Sequence, residues 1–183
     1  PGNPLLTLET CDPWDGNGAT PNPLYQIPGS VQPDVLYFPE GMDGYKFWMV
    51  FTPLDDTPPP GVASQIPPQI PESKYDDYWW ERPTLVRSND GINWEKTSDY
   101  TNPLVSPGPY GTWDGNAELC DPDLVYAPGR GPNGESWFLY YVGQGPTGST
   151  IGVALSYDGL HYTKYSGNPL IPNYSACPGV VYD

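Results

Sequence analysis

The chain has 183 residues, with 7 lysines and arginines against 22 aspartates and glutamates, so its formal net charge is −15. This charge argues against binding to nucleic acid or to an anionic membrane surface, because phosphates would be repelled rather than neutralised. No apolar run approaches the roughly 18–20 residues that span a bilayer, so we expect no membrane insertion. With 26 prolines, 21 glycines and 14% aromatic residues, the composition favours an all-β domain of short strands over long helices or disorder.

One pattern that predicts a β-strand occurs three times along the chain. Residues 32–37 read Gln-Pro-Asp-Val-Leu-Tyr, residues 121–126 read Asp-Pro-Asp-Leu-Val-Tyr, and residues 177–182 read Cys-Pro-Gly-Val-Val-Tyr. In the first two units an aromatic segment follows, at 45–51 and 136–142. Each of these units then has a Ser-x-Asp-Gly turn, at 88–91 and 156–159, and ends in Asn-Pro-Leu, at 102–104 and 168–170.

Each complete unit therefore predicts four short antiparallel strands, in the first unit at about 34–38, 45–51, 82–88 and 92–96. Asp-Gly between the third and fourth strands is a strong hairpin signal, because a tight turn needs positive φ. Four-stranded antiparallel units in tandem are typical of the blades of a β-propeller. Since a propeller needs about four to eight blades, we expect about two and a half blades here and further blades from the same protein or by self-association.

The repeat divides the chain into four predicted parts. Residues 1–31 end a preceding blade and connect it, and residues 32–119 form a blade with a long Pro- and aromatic-rich insertion at 52–80. Residues 120–176 form a second blade, and residues 177–183 begin the next one. The insertion is predicted to be functional because long loops in compact domains usually are, and its counterpart at 143–149 is predicted as a short loop.

The repeated units resemble the five-bladed β-propeller glycoside hydrolases, the group that includes families 43, 32 and 68. The resemblance rests on the inner-strand motifs, the aromatic second strands, the Ser-x-Asp-Gly-x-x-Trp/Tyr hairpins and the closing Asn-Pro-Leu. The resemblance extends from about residue 32 to the end of the chain. It implies that carboxylates at the starts of innermost strands point into a central funnel. There, one protonated acid and one ionised base or nucleophile would act on a glycosidic bond.

Matched residue by residue, the Asp of the family's Asp-Pro motif falls on Asp121, and this resemblance ranks Asp121 first as base or pKa-tuning carboxylate. Asp34 ranks second, and Glu118 or Glu81 is the candidate acid. Antiparallel strand order predicts that Asp34, Glu81 and the insertion share one end of the blade. The alternative for the aspartates is a structural one, in which they accept backbone N–H groups at strand starts.

Aromatic rings stack on the C–H faces of sugars, which makes certain rings near the predicted acids candidates for substrate binding. Other tryptophans, Trp48, Trp94 and Trp137, fall on repeated strand positions and are predicted to pack between blades, and His161 is predicted to lie on the surface. The Trp-Asp-Gly-Asn sequence at 113–116 repeats that at 14–17, which favours a structural connector turn. The candidate sugar-contacting rings are those of Tyr78, Trp79, Trp80 and Trp113.

No metal and no cofactor are predicted. Calcium is the alternative, because Asp/Asn turns suit it, although no full Asp-x-Asp-x-Asp-Gly loop is present. The three cysteines, Cys11, Cys120 and Cys177, lack metal-like spacing. Buried thiols and a Cys11–Cys120 disulfide both remain open. The acidic, aromatic composition and the sequon at Asn173 favour a secreted protein.

Two functions follow from this sequence. The first is a carbohydrate-active propeller that hydrolyses or binds an extracellular polysaccharide through funnel carboxylates and rim aromatics. The alternative is a non-catalytic glycan-binding or structural, self-assembling surface module. The loss of Asp-Pro at positions 32 and 177 favours the alternative, whereas the long acidic and aromatic insertion fits both, so the sequence leaves enzymatic activity open.

Overall fold

The computed structural model describes residues 29–54, 81–100, 103–109, 111–115, 118–173 and 175–183. In this part of the chain seven β-strands form two antiparallel sheets, and no helix is present. The first sheet has the order β1 (Gly29–Met42), β2 (Tyr45–Leu54) and β3 (Thr84–Ser88). The second has the order β4 (Leu119–Tyr126), β5 (Trp137–Gly145), β6 (Gly148–Ser156) and β7 (Thr163–Lys164).

The predicted fold class is confirmed: the described residues are all-β, and their sheets of consecutive antiparallel strands are consistent with part of a β-propeller. Closure into five blades stays a prediction. Over the same residues, no helix has the length and apolar character that crossing a bilayer would require.

The first strand of each sheet, β1 and β4, has the same backbone irregularity, a residue with positive φ. Gln32 and Asp121 both have φ of 51°, and Cys177 in the third repeat has φ of 50°. Left-handed backbone is uncommon for residues other than glycine, and each of these residues precedes a proline. The pairing of β1 with β2, and of β4 with β5, shifts by one residue at this point, as in a β-bulge. The sequence repeat therefore extends to the backbone conformation.

The Ser-x-Asp-Gly turns form as predicted. In the second unit the Asp158 carboxylate accepts the backbone N–H groups of Leu160 and His161, both at 2.9 Å. Asp90 does the same for the backbone N–H groups of residues 92 and 93. Gly159, with φ of +78°, supplies the left-handed residue that the turn requires. His161 is exposed, as predicted.

The fourth strand predicted at 92–96 is wrong. In the first unit only a single antiparallel bridge, between Arg87 and Glu95, forms beyond β3. The chain leaves the sheet there because Thr97 and Asp99 turn back to bind the buried Arg87 guanidinium, with Asp99 at 2.6 Å. A buried positive charge needs such partners, and this requirement overrides continued strand pairing.

The short loop predicted at 143–149 is also wrong. Strands β5 and β6 continue to Gly145 and Gly148, so a two-residue hairpin connects them. Gly148 has φ of +104°, which suits a turn of this length. At Gly145 an added Cβ would lie 2.5 Å from the Trp113 carbonyl oxygen, so glycine allows the strand to pass close to the Trp113 turn.

Tryptophans join the two sheets in one core. The rings of Trp48 and Trp137 stack with centroids 4.6 Å apart, and Phe38 meets the Trp137 ring edge-on at 5.6 Å. Packing between units is thus confirmed for both tryptophans. Trp94 packs on a small cluster of the first sheet, and its contact with a neighbouring unit stays a prediction. That cluster contains Met49, Phe51 and Val86.

Candidate functional site

Two aspartates link successive sequence repeats. The Asp34 carboxylate accepts the backbone N–H of Leu124 at 2.9 Å, and the Asp123 carboxylate accepts that of Val180 at 3.0 Å. Each link joins equivalent positions of neighbouring repeats, which is the structural role weighed for these residues. The pKa of Asp123 is raised by burial and by the negative charge of Asp34, although the bond from Val180 opposes the shift. A catalytic role for Asp34 stays a prediction.

Asp121 lies at the bulge of β4 and binds the third repeat. Its Oδ2 accepts the backbone N–H of Cys177 at 3.0 Å and the Cys177 thiol at 3.2 Å. Only 8% of Asp121 is exposed. Two donors on one oxygen fix the orientation of this carboxylate, because rotation would break both hydrogen bonds.

Three of the four predicted catalytic carboxylates are connected through Glu81: the charge of Asp121 acts on Glu81, and the charge of Glu81 acts on Glu118. The backbone N–H of Leu119 donates to the Glu81 carbonyl at 3.0 Å, which holds the segment before β3 against the start of β4. Asp34 interacts instead with Asp123. The structure therefore supports the predicted grouping for Glu81, Glu118 and Asp121, and it places Asp34 in a separate pair.

The two glutamates of this acid cluster are half-buried. Burial is the largest cause that raises the pKa of Glu81, and the charge of Asp121 adds to it. Burial also raises the pKa of Glu118, and the charge of Glu81 adds to that shift. Both glutamates therefore hold a proton more firmly than an exposed carboxyl does, which a general acid needs near neutral pH.

A buried arginine lies next to the cluster. Arg82 is 2% exposed, and its Nη1 donates to the Glu81 carbonyl at 2.6 Å. Burial lowers the pKa of Arg82 to about 10, while the charges of Glu118 and Glu81 oppose the shift. Sequence reasoning missed this residue; the signal available was a lone arginine in the sequence Glu-Arg-Pro, directly after the predicted functional insertion.

Cys120 is a second residue that sequence reasoning missed. Its thiol lies near the Glu81 carboxyl and lowers the pKa of Glu81, against the effect of burial. Cys120 and Cys177 carry free thiols in the described part of the chain, and the pairing of Cys120 with Cys11 stays a prediction. Cys11 itself lies outside the described residues.

The predicted sugar-binding aromatics are placed only in part. Trp113 packs inside the second sheet, with its ring centroid 5.6 Å from that of Tyr141. An added Cβ on Gly152 would lie 2.2 Å from the Trp113 ring, and one on Gly143 would lie 2.6 Å from it. These glycines let the ring approach the backbone. Sugar contact by Trp113 stays a prediction, and Tyr78, Trp79 and Trp80 lie outside the described residues.

The turn that contains Asp114, which was considered for calcium, is paired with the positive charge of Lys164. The buried Asp114 carboxylate forms an ion pair with the Lys164 ammonium and accepts the Tyr141 hydroxyl at 3.3 Å. Over the ranges that the structure describes, no group of three or more His, Cys, Asp or Glu residues is arranged to hold a metal ion. Asp114 therefore acts as a structural residue that ties the turn to β5 and β7.

An open cleft of about 320 Å³ lies between the two sheets. Its lining comes from the ends of β1, β4 and β6 and from the start of β5, at the opposite end of the strands from the acid cluster. The cleft is therefore separate from the acid cluster. The residues that line it are Met42, Asp43, Tyr126, Ser136, Trp137, Tyr157, Asp158 and Leu160.

The fold and the site thus define an all-β protein of repeated antiparallel sheets with a half-buried acid cluster at the start of an inner strand. No protein-family model matches the sequence. Among curated proteins, the chain is similar to the A type blood N-acetyl-alpha-D-galactosamine deacetylase of Flavonifractor plautii. The two are 28% identical over 132 residues, which are 72% of this chain and 14% of that protein. The chain therefore spans a small part of this relative.

Two solved structures are also similar. An N-acetylgalactosamine deacetylase from F. plautii, in complex with blood group B trisaccharide, is 20% identical with a TM-score of 0.44, covering 81% of this chain and 36% of that one. A candidate glycoside hydrolase from Parabacteroides distasonis is 19% identical with a TM-score of 0.48, covering 75% of this chain and 32% of that one. The descriptions of these proteins all concern carbohydrates; the deacetylase belongs to a different family from the hydrolases that the motifs resemble.

Proposed function

We propose that this protein processes carbohydrate, with Glu81, Glu118 and Asp121 as the reacting carboxylates. The observation that carries the proposal is the grouping of two glutamates of raised pKa beside an oriented aspartate. Carboxyl groups with different environments, placed together, are what acid–base hydrolysis requires. The similarity to a sugar deacetylase over 72% of the chain supports a carbohydrate substrate.

In the glycoside hydrolase form of this proposal, the glutamates and the aspartate take different roles. The protonated carboxyl of Glu81 or Glu118 donates its proton to the departing glycosidic oxygen as the C–O bond breaks. Asp121 accepts a proton from water, and the oxygen of that water bonds to the sugar carbon. The Arg82 guanidinium limits the build-up of negative charge when the glutamate has lost its proton.

The test is hydrolysis by the purified chain on a panel of polysaccharides and aryl glycosides, measured as release of reducing ends. Asp121→Asn, Glu81→Gln and Glu118→Gln are compared with Glu40→Gln, an exposed acid on β1. Loss of a general acid or base lowers the rate about 10²–10⁴-fold, so we expect Asp121→Asn and one of the two glutamate variants to lose turnover while retaining binding. Full turnover in all three variants would exclude the acid cluster as the site.

A second candidate reaction is removal of the acetyl group from the nitrogen of an N-acetylated sugar, favoured by the similarity to the F. plautii deacetylase. Asp121 would again accept the proton of the attacking water, now at the acetamide carbonyl carbon. A glutamate would protonate the departing amine. Acetate and reducing ends are different products, so measuring both on an N-acetylated glycan separates deacetylation from glycosidic cleavage.

The non-catalytic alternative predicts binding without either product. Titration calorimetry with the same glycans distinguishes it, because binding would persist while acetate and reducing ends stay at background levels. We further propose an extracellular location, carbohydrate as the partner, and completion of the propeller by additional blades or by self-association. Sedimentation of the chain, together with recovery of the protein from the medium of its native host, tests the assembly and the location.

A further inference from the structure

The Cys177 thiol donates a hydrogen bond to the Asp121 carboxylate, which belongs to the preceding repeat. Gln32, Asp121 and Cys177 occupy the same left-handed position in successive repeats, and here the third contacts the second. The Cys177 sulfur lies 3.2 Å from Asp121 Oδ2, and its backbone nitrogen lies 3.0 Å from the same oxygen. Because an ionised carboxylate only accepts hydrogen bonds, the thiol is the donor.

We propose that the reduced thiol of Cys177 is a positioning residue of the acid cluster, where it orients Asp121. Its role in turnover rests on the proposed function, whereas the thiol–carboxylate contact stands on the geometry. An adduct on the Cys177 sulfur replaces the S–H donor, and the carboxylate then loses one of the bonds that orient it. The site is accordingly sensitive to thiol alkylation, with the exposed Cys177 as the accessible position.

The competing explanation is that the Cys177 side chain only fills space. The two explanations differ in what they require. Packing requires volume, which alanine keeps in large part, whereas positioning requires a donor, which serine keeps and alanine lacks.

The first experiment measures alkylation of Cys177 by iodoacetamide as a function of pH. Trypsin cleavage after Lys46, Arg130 and Lys164 places each cysteine in a different peptide, so mass spectrometry follows Cys177 alone. The contact with Asp121 raises the pKa of Cys177, and Asp121→Asn removes that charge. One pKa unit changes the thiolate fraction about tenfold, so we expect Asp121→Asn to increase the alkylation rate at pH 8 severalfold.

The matched control is Asp123→Asn, which removes an equal charge on the same strand but binds Val180 instead. Cys177 should be alkylated at the wild-type rate in this variant. Equal rates in wild-type protein and Asp121→Asn would overturn the Cys177 contact. Equal acceleration in Asp121→Asn and Asp123→Asn would overturn it as well, because the effect would then be a general one of charge.

The second experiment measures Cys177 by the infrared S–H stretching band, assigned through its absence in Cys177→Ala. A hydrogen bond to a carboxylate lowers this frequency, so Asp121→Asn should raise it while Asp123→Asn leaves it unchanged. An unchanged band in Asp121→Asn would overturn the Cys177 contact. Neither this measurement nor the alkylation depends on turnover, so failure of the proposed function and failure of the thiol contact are distinguishable.

The third experiment compares Cys177→Ala with Cys177→Ser in the reaction identified for the wild-type protein. We expect kcat to fall about tenfold in the alanine variant, with KM unchanged, and to recover in the serine variant. Equal kcat in both variants and in the wild type would overturn the positioning role. Equal loss in both, with a lowered unfolding temperature, would assign Cys177 to packing.

Discussion

Replacing Asp34 with alanine tests whether this carboxylate is a structural link between repeats. Its Oδ2 accepts the N–H of Leu124 at 2.9 Å, and Leu124 is only 2% exposed. A hydrogen bond to a charged group contributes about 1.5–3 kcal/mol, and a buried donor left without a partner is costly. Because Asp34 is half-exposed, we expect the lower end, a loss of about 1.5 kcal/mol in the free energy of unfolding.

Urea unfolding followed by tryptophan fluorescence measures this loss. With an m-value of about 2 kcal/mol per molar urea, about 1.5 kcal/mol lowers the midpoint by about 0.7 M. Asp34→Asn keeps an uncharged acceptor oxygen and should lose about half as much. The control is Glu40→Ala on the same strand, exposed and expected to change stability by less than about 0.5 kcal/mol.

The reasoning is refuted if Asp34→Ala unfolds at the same urea concentration as Glu40→Ala. A different outcome would also count against it. If Asp34→Asn abolished hydrolysis while its unfolding midpoint stayed at the wild-type value, Asp34 would be a catalytic residue, as the resemblance to the hydrolases implies. Asp123→Ala offers an internal replicate, because its bond to Val180 has nearly the same length, 3.0 Å.

Three further predictions concern the core and the acid cluster. Trp137→Ala should lower the free energy of unfolding by about 3–5 kcal/mol in the same urea assay, because the stacking with Trp48 is lost; a loss below about 1 kcal/mol would contradict the core packing. Gly152→Ala should lower the free energy of unfolding by about 1–3 kcal/mol through overpacking, since its Cβ would lie 2.2 Å from the Trp113 ring. In a double-mutant cycle, Trp113→Leu should recover part of that loss; additive effects of the two substitutions would contradict the contact. The raised pKa of Glu81 means that the folded state holds this proton more tightly than the unfolded chain, so the resulting stability is present below the ordinary glutamate pKa of 4.5 and is lost as pH rises. Thermal unfolding should therefore show Glu81→Gln more stable than wild type at pH 7 and indistinguishable from it at pH 4; an equal shift at both values would count against the buried carboxyl.

Local sequence patterns predicted many of the strands and turns. The repeated inner-strand motif predicted β1 and β4, and the Ser-x-Asp-Gly motif predicted both turns, because positive φ at Gly91 and Gly159 is a requirement of nearby backbone alone. The stacking of Trp48 on Trp137 was also predictable, since repeated aromatic positions in adjacent units face the same interface.

The composition of the acid cluster was predictable only in part. Antiparallel strand order predicts that the starts of the third strand and of the next inner strand lie close together, which brings Glu81 toward Asp121. The role of Asp34 depends instead on Leu124, which is 90 residues away in sequence. No local pattern distinguishes a carboxylate that accepts such a bond from one that faces a substrate.

What the sequence by itself determined is therefore the repeated antiparallel unit, its turns and the residue types that gather at one end of it. Only the tertiary structure decided from which donor each carboxylate accepts a hydrogen bond: Leu124 for Asp34, Cys177 for Asp121 and Lys164 for Asp114. Strand and turn formation depend on neighbours a few residues away, and these leave a readable pattern. A buried polar group takes as its partner whichever donor the packing of distant segments brings within about 3 Å, and that choice exists only once the repeats are assembled.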